Sequence, residues 1–135
     1  MFSKKTKRML PIQSLIGSGM VIDGDLRFKG GLRIDGEVKG NIQADEGDDS
    51  LLVISETGRV HGHILVAHVV VSGSILGPID ASKLLELHPS AKVCGDVRYR
   101  ALEMHPGAVV DGKLCHDQQD ESSPVKLALA PSNQA

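Results

Sequence analysis

At 135 residues the chain is sized for one domain, and 41% apolar residues supply a core. The core is an unusual one, because Trp is absent and the aromatics are Phe2, Phe28 and Tyr99, leaving Val, Ile, Leu and Ala to fill a narrow, regular interior. The net charge of −2 hides a split: the first ten residues hold four basic side chains and no acid, the remainder 11 basic against 17 acidic, which argues against a nucleic-acid surface.

In chain order, residues 1–15 come first as a basic tail. Met1, Phe2, Lys4, Lys5, Lys7 and Arg8 interleave apolar and positive side chains, the composition of a segment that settles on an anionic membrane. The alternative is a solubilising tail without fixed structure. The segment lacks the apolar stretch and small-residue cleavage site of a signal peptide. No apolar run approaches the roughly 20 residues of a spanning helix.

From residue 16 to 115 the sequence repeats itself. GMVIDGDL, GEVKGNI, GRVHGHI, GSILGPI, AKVCGDV and GAVVDGKL share an apolar–x–Gly–x–apolar core, centred on Gly24, Gly40, Gly62, Gly77, Gly95 and Gly112. The separations are 16, 22, 15, 18 and 17 residues. The outlier contains the polar run 45–50, read as a surface insertion. Between phrases lie apolar pairs two apart: Leu32/Ile34, Leu52/Ile54, Val69/Val71, Leu85/Leu87 and Leu102/Met104. A spacing of two is strand periodicity. Three short strands joined by tight turns make one coil, and six phrases predict an all-β solenoid of about six coils, stable only when stacked. In GRVHGHI, Val60 and Ile64 are expected inside and Arg59, His61 and His63 outside. Residues 116–135 are polar and Pro-containing, and are expected to be disordered, with VKLALA at 125–130 as their one apolar patch.

Candidate chemistry is thin. A solenoid acyltransferase forming a discrete trimer is the competing class, but its aliphatics recur every six residues, whereas Val60, Ile64, Val69, Val71 and Ile75 are spaced 4, 5, 2 and 4. His61, His63 and His68 are read as solvent-facing turn residues in preference to bases. Two alternating histidines make a weak zinc claim, and the acidic run 45–50 lacks calcium-loop spacing. Cys94 takes an outward place aligned with Lys39, His61 and Leu76, and Cys115 follows the last phrase. Two cysteines without CxxC spacing fit a reducing cytoplasm. The GSG at 17–19 lacks the rest of a phosphate loop, so no catalytic residue, cofactor or metal is expected.

IGSGMVIDGDLRFKGGLRIDGEVKGNI at 16–42, the GRVHGHI and GSILGPI phrases and the closing AKVCGDV and MHPGAVVDGKL together resemble the bactofilins, bacterial polymer-forming cytoskeletal proteins. The likeness runs from Ile16 to Leu114. It implies a single right-handed parallel β-helix that assembles into filaments without nucleotide. It also implies attachment to the inner face of the cytoplasmic membrane through the N-terminal tail, with roles in cell shape or in localising cell-wall enzymes. The family often carries an aromatic in the final coil, where this chain has Val109, Val110 and Leu114.

A stack without a cap presents unpaired strand edges at both ends, and such edges template association. The expected contacts are Val21, Ile22, Leu26 and Phe28 at one end and Val109, Val110 and Leu114 at the other. Joining like ends, which the resemblance favours, gives a filament without polarity, and head-to-tail joining stays open. Two alternatives remain: a tail folded over an end coil, and a passive scaffold whose side binds a cell-wall enzyme.

Overall fold

The computed structural model describes residues 10–45 and 49–117. The described residues form sixteen strands, all paired in parallel, and no helix. They wind into six three-sided coils. The first coil is β1 (Ile12–Ile16), β2 (Val21–Asp23) and β3 (Leu26–Phe28), and the second is β4 (Gly30–Ile34), β5 (Glu37–Lys39) and β6 (Ile42–Ala44). The third takes β7 (Ser50–Ile54), β8 (Arg59–His61) and the first half of β9 (Ile64–Val71). The rest of β9 opens the fourth, which continues through β10 (Ser74–Leu76) into β11 (Ile79–Leu87). The end of β11, β12 (Lys92–Cys94) and β13 (Val97–Tyr99) make the fifth. β14 (Leu102–Met104), β15 (Val109–Asp111) and β16 (Leu114–His116) make the sixth.

Register aligns like with like from coil to coil. On the second side Ile22, Val38, Val60, Ile75, Val93 and Val110 form one inward column. On the third side Leu26, Ile42, Ile64, Ile79, Val97 and Leu114 form another. The first side contributes Leu32, Leu52, Val69, Leu85 and Leu102, beside Ile16, Ile34, Ile54, Val71, Leu87 and Met104. The expected apolar pairs are therefore the inner surface of the first side. Val60 and Ile64 are fully buried, and Arg59 and His61 are exposed as expected, while His63 is half-buried.

The repeated glycine marks the corner between the second and third sides. Gly62 has φ +154, and a Cβ there would collide with the carbonyl of Gly40 in the coil below. Coils at a strand spacing of ~4.8 Å leave no room for a side chain where one corner sits on the next. This is why the phrase keeps Gly at its centre.

Three features differ from the sequence reading. The first strand starts at Ile12, ahead of the expected boundary at 16, because Ser14 stands where later coils have an aliphatic and so breaks the apolar pair. A further inward column on the third side went unread. It pairs Phe28 with Ala44 and then runs through Val66, Ala81, Tyr99 and His116, residue types too varied to announce a repeat. With Val66 buried, the inward spacings of the third unit become 4, 2, 3, 2 and 4, still without a period of six. His68 lies within β9 and not in a turn.

Of the polar run 45–50 read as a surface insertion, 46–48 lie outside the described residues, Asp45 and Asp49 lie between β6 and β7, and Ser50 corrects the reading, being the buried first residue of β7. The chain rejoins the stack at Ser50, which is 4% exposed and whose Oγ accepts the backbone N–H of Ala67 at 3.0 Å.

Candidate assembly surfaces at the two ends of the stack

One column of equivalent residues shows what the ends are. On the third side Ile42, Ile64, Ile79 and Val97 are at most 1% exposed, whereas Leu114 in the last coil is 44% exposed. On the first side Leu87 is fully buried and Met104, its partner in register, is 44% exposed. Side-chain type barely changes, and only the neighbour above is missing. Burial of these columns is thus a property of stacking.

Exposed large apolar side chains concentrate accordingly. Ile12, Leu15, Met20 and Val21 belong to the first coil, and Met104, Val109 and Leu114 to the last. In the four coils between, only Leu65 and Leu76 are comparably exposed. Backbone pairing tells the same story. β1, β2 and β3 each pair on one edge alone, with β4, β5 and β6, and β14, β15 and β16 pair only with β11, β12 and β13. Each end therefore carries three strand edges with free donors and acceptors among the described residues, above a partly covered apolar floor.

The expected contact residues divide into two kinds. Ile22, Leu26, Phe28, Val110 and Leu114 lie on inward columns and form the floor of their end coils. Val21 and Val109 occupy the neighbouring outward column with Glu37, Arg59, Ser74 and Lys92, so they rim the ends from the side. Met1, Phe2, Lys4, Lys5, Lys7 and Arg8 lie outside the described residues, as does VKLALA.

Several end residues escaped the sequence reading: Ile16 and Met20 at one end, and Leu102, Met104, Ala108 and His116 at the other. Leu102/Met104 carried a usable signal, since no apolar pair follows it in the core and the first side must end there. His116 carried none. It stacks on Tyr99 with ring centroids 5.6 Å apart, and its Nε2 donates to the Arg100 carbonyl at 3.0 Å.

The lateral surface carries a compact polar cluster around Glu86. Glu86 on β11 accepts from His68 Nε2 at 3.0 Å and from His88 Nε2 at 3.4 Å, while the His88 ring meets His105 edge-on at 5.0 Å. Burial pushes the Glu86 carboxyl upward, but the two histidine hydrogen bonds and their charges outweigh it, so it ionises below the usual range. No group of three or more His, Cys, Asp or Glu among the described residues is placed to hold a metal ion. Cys94 is exposed in register with Leu76, which continues through His61 to Lys39 as expected, and Cys115 is exposed on β16.

Comparison with known proteins gives this geometry a family. The bactofilin model, described as polymer-forming cytoskeletal, matches residues 14–115. The chain is 30% identical over 127 residues to bactofilin BacO of Myxococcus xanthus, covering 88% of this chain and 98% of that protein. To bactofilin BacP of the same organism it is 26% identical over 101 residues, covering 75% of this chain and 40% of BacP. No solved structure matches. A six-coil parallel solenoid, matched by that family model over most of its length, belongs to the bactofilin family of polymer-forming cytoskeletal proteins.

Proposed function

We propose that this chain assembles end to end, without nucleotide, into filaments that lie on the inner face of the cytoplasmic membrane, and that these support cell shape or localise cell-wall enzymes. The concentration of exposed apolar side chains and unpaired edges on the first and last coils carries the reading. Joining two ends removes both from water at once: edges gain backbone partners and the columns continue across the junction. Like ends meeting about two-fold axes use two isologous contacts in alternation, giving a filament without polarity.

Membrane attachment is assigned to residues 1–8. Four basic side chains contribute ~1 kcal/mol each near an anionic surface, and Phe2 adds an apolar anchor. One tail holds weakly, but a filament presents many in a row, and avidity turns weak contacts into stable attachment. No helix among the described residues is long and apolar enough to cross a membrane.

Negative-stain microscopy of the purified chain in EDTA without nucleotide tests the assembly half. Filaments are expected, and they should vanish when Val110→Arg and Leu114→Arg are combined. Small discrete particles in the parent would refute the reading and favour an oligomeric enzyme. Deleting residues 2–8 should abolish co-sedimentation with anionic vesicles while leaving filaments intact, and loss of both would overturn the division between tail and ends.

A further inference from the structure

The second side is the most regular face of the rod. Its six strands, β2, β5, β8, β10, β12 and β15, form one unbroken sheet in continuous register, whereas the first side is irregular at Ile12–Ser14 and at Ala81–Leu84. The middle residue of each strand points inward, which leaves two outward columns. From coil one to coil six, one runs Val21, Glu37, Arg59, Ser74, Lys92 and Val109, and the other Asp23, Lys39, His61, Leu76, Cys94 and Asp111.

The charges of this face have no partners. Among the described residues none of Asp23, Glu37, Lys39, Arg59, Lys92 and Asp111 enters an ion pair, while Arg27–Asp45, Arg33–Asp35, Lys83–Asp49 and the Glu86 cluster all lie off it. The face also carries three exposed apolar side chains, Val21, Leu76 and Val109.

The pattern is complementary to itself when reversed. Two copies laid face to face about a two-fold axis across the rods run antiparallel, so that coil one meets coil six, two meets five and three meets four, with like columns in contact. Glu37 then faces Lys92 of the second copy, and Lys92 faces its Glu37. Val21 and Val109 meet in both directions, and the two Leu76 side chains lie beside the axis over His61. Asp23 meets Asp111, with Lys39 one coil away to offset the like charge. A slip of one coil sets Arg59 against Arg59 or against Lys92. Parallel rods, related by an axis along their length, cross the columns and lay Val21 on Asp23 and Val109 on Asp111.

We infer that the second side is a docking face for an antiparallel second copy of this chain, with Glu37 and Lys92 as its matched charges. Strands ~10 Å wide stacked six deep at ~4.8 Å give a footprint of roughly 300 Å². A stable interface takes ~800 Å² per partner. One such contact holds weakly, and filaments that repeat it are held side by side through avidity. This deepens the proposed function and rests on its end-to-end assembly.

Cross-linking tests this in a full-length chain carrying Cys94→Ser, Cys115→Ser and Ser74→Cys. Its one thiol lies in the fourth coil, so end-to-end neighbours hold their thiols roughly 24 Å apart. A short bis-maleimide should link chains in filaments to dimers. Glu37→Lys or Lys92→Glu alone should slow this about tenfold by setting like charges together, and the two combined should restore it, with filaments forming throughout. In negative stain, parent filaments should lie in pairs and those of either single variant apart. Loss without recovery in the combined variant overturns the antiparallel register, since parallel rods match Glu37 with Lys39. Filaments that give no cross-link overturn the face. The chain blocked at both ends by Ile22→Arg, Leu26→Arg, Val110→Arg and Leu114→Arg should link about tenfold more slowly than filaments, and equal rates overturn the dependence on assembly. If the parent forms no filaments, end-to-end assembly falls by itself, and loss and recovery across Glu37 and Lys92 in concentrated chain still decide the face.

Discussion

The central coils and the end coils are built from the same phrase, yet they behave as different materials. Val60 and Ile64 of the third coil are fully buried, while Leu114, at the same place in the last coil as Ile64, is nearly half exposed. Nothing in the local sequence separates them. What separates them is whether a coil lies on each face, and the lesson is that in a solenoid the stacking neighbour decides between core and interface. A sequence that would make a well-packed interior if continued leaves its apolar side chains exposed where the stack stops.

Substitutions at matched positions sharpen the contrast. The largest effect is expected at the centre. Leu52→Ala removes a fully buried side chain with coils on both faces and should cost about 2–5 kcal/mol in chemical denaturation of unassembled protein. Leu114→Ala, similar in chemistry but at an edge, should cost under about 1 kcal/mol there, since its side chain is already wet. It should nonetheless raise the concentration at which filaments form. Equal losses for the two would break the comparison. Ser50→Ala comes next: it orphans the Ala67 N–H in a buried setting, for about 1–3 kcal/mol, readable as an earlier urea midpoint.

The Glu86 cluster predicts a pH signature on the side of the rod, away from the ends. Its carboxyl is held below the usual value, so its contribution is fully present above that value and is lost as pH falls through the lowered one. The difference in melting temperature between the parent and Glu86→Gln should shrink as pH falls below about 4.5. A gap that instead grows with acid would contradict the sign. The smallest effect is expected at Arg33 and Asp35, whose exposed pair at 2.8 Å should give a coupling under about 1 kcal/mol in a double-mutant cycle, weakening with salt.

How far the sequence speaks for this molecule follows from periodicity. Wherever an aliphatic recurs two residues from another, as in Leu52/Ile54 or Leu85/Leu87, the strand and its inward face were legible. So was the corner, because a glycine stacked on a glycine tolerates no substitute. The first strand was obscured by one polar residue, Ser14, at an inward place. The column running from Val66 through Ala81 and Tyr99 to His116 was obscured because its width varies along the rod, admitting Ala at one level and Tyr at another. The ends were legible in outline, through the first and last phrases, but not in detail. Periodicity gives the same score to Val109 and Val110, and only the register assigns one to the rim and the other to the floor.

The most direct test is amide hydrogen exchange, comparing assembled protein with the unassembled chain carrying Ile22→Arg and Leu26→Arg at one end and Val110→Arg and Leu114→Arg at the other. Assembly should slow exchange in the first-coil strands at 12–16, 21–23 and 26–28 and the last-coil strands at 102–104, 109–111 and 114–116, leaving the central strands 50–54 and 64–71 unchanged. New protection confined to the outward residues around Leu65 and Leu76, with none at the ends, would contradict assembly through the end coils.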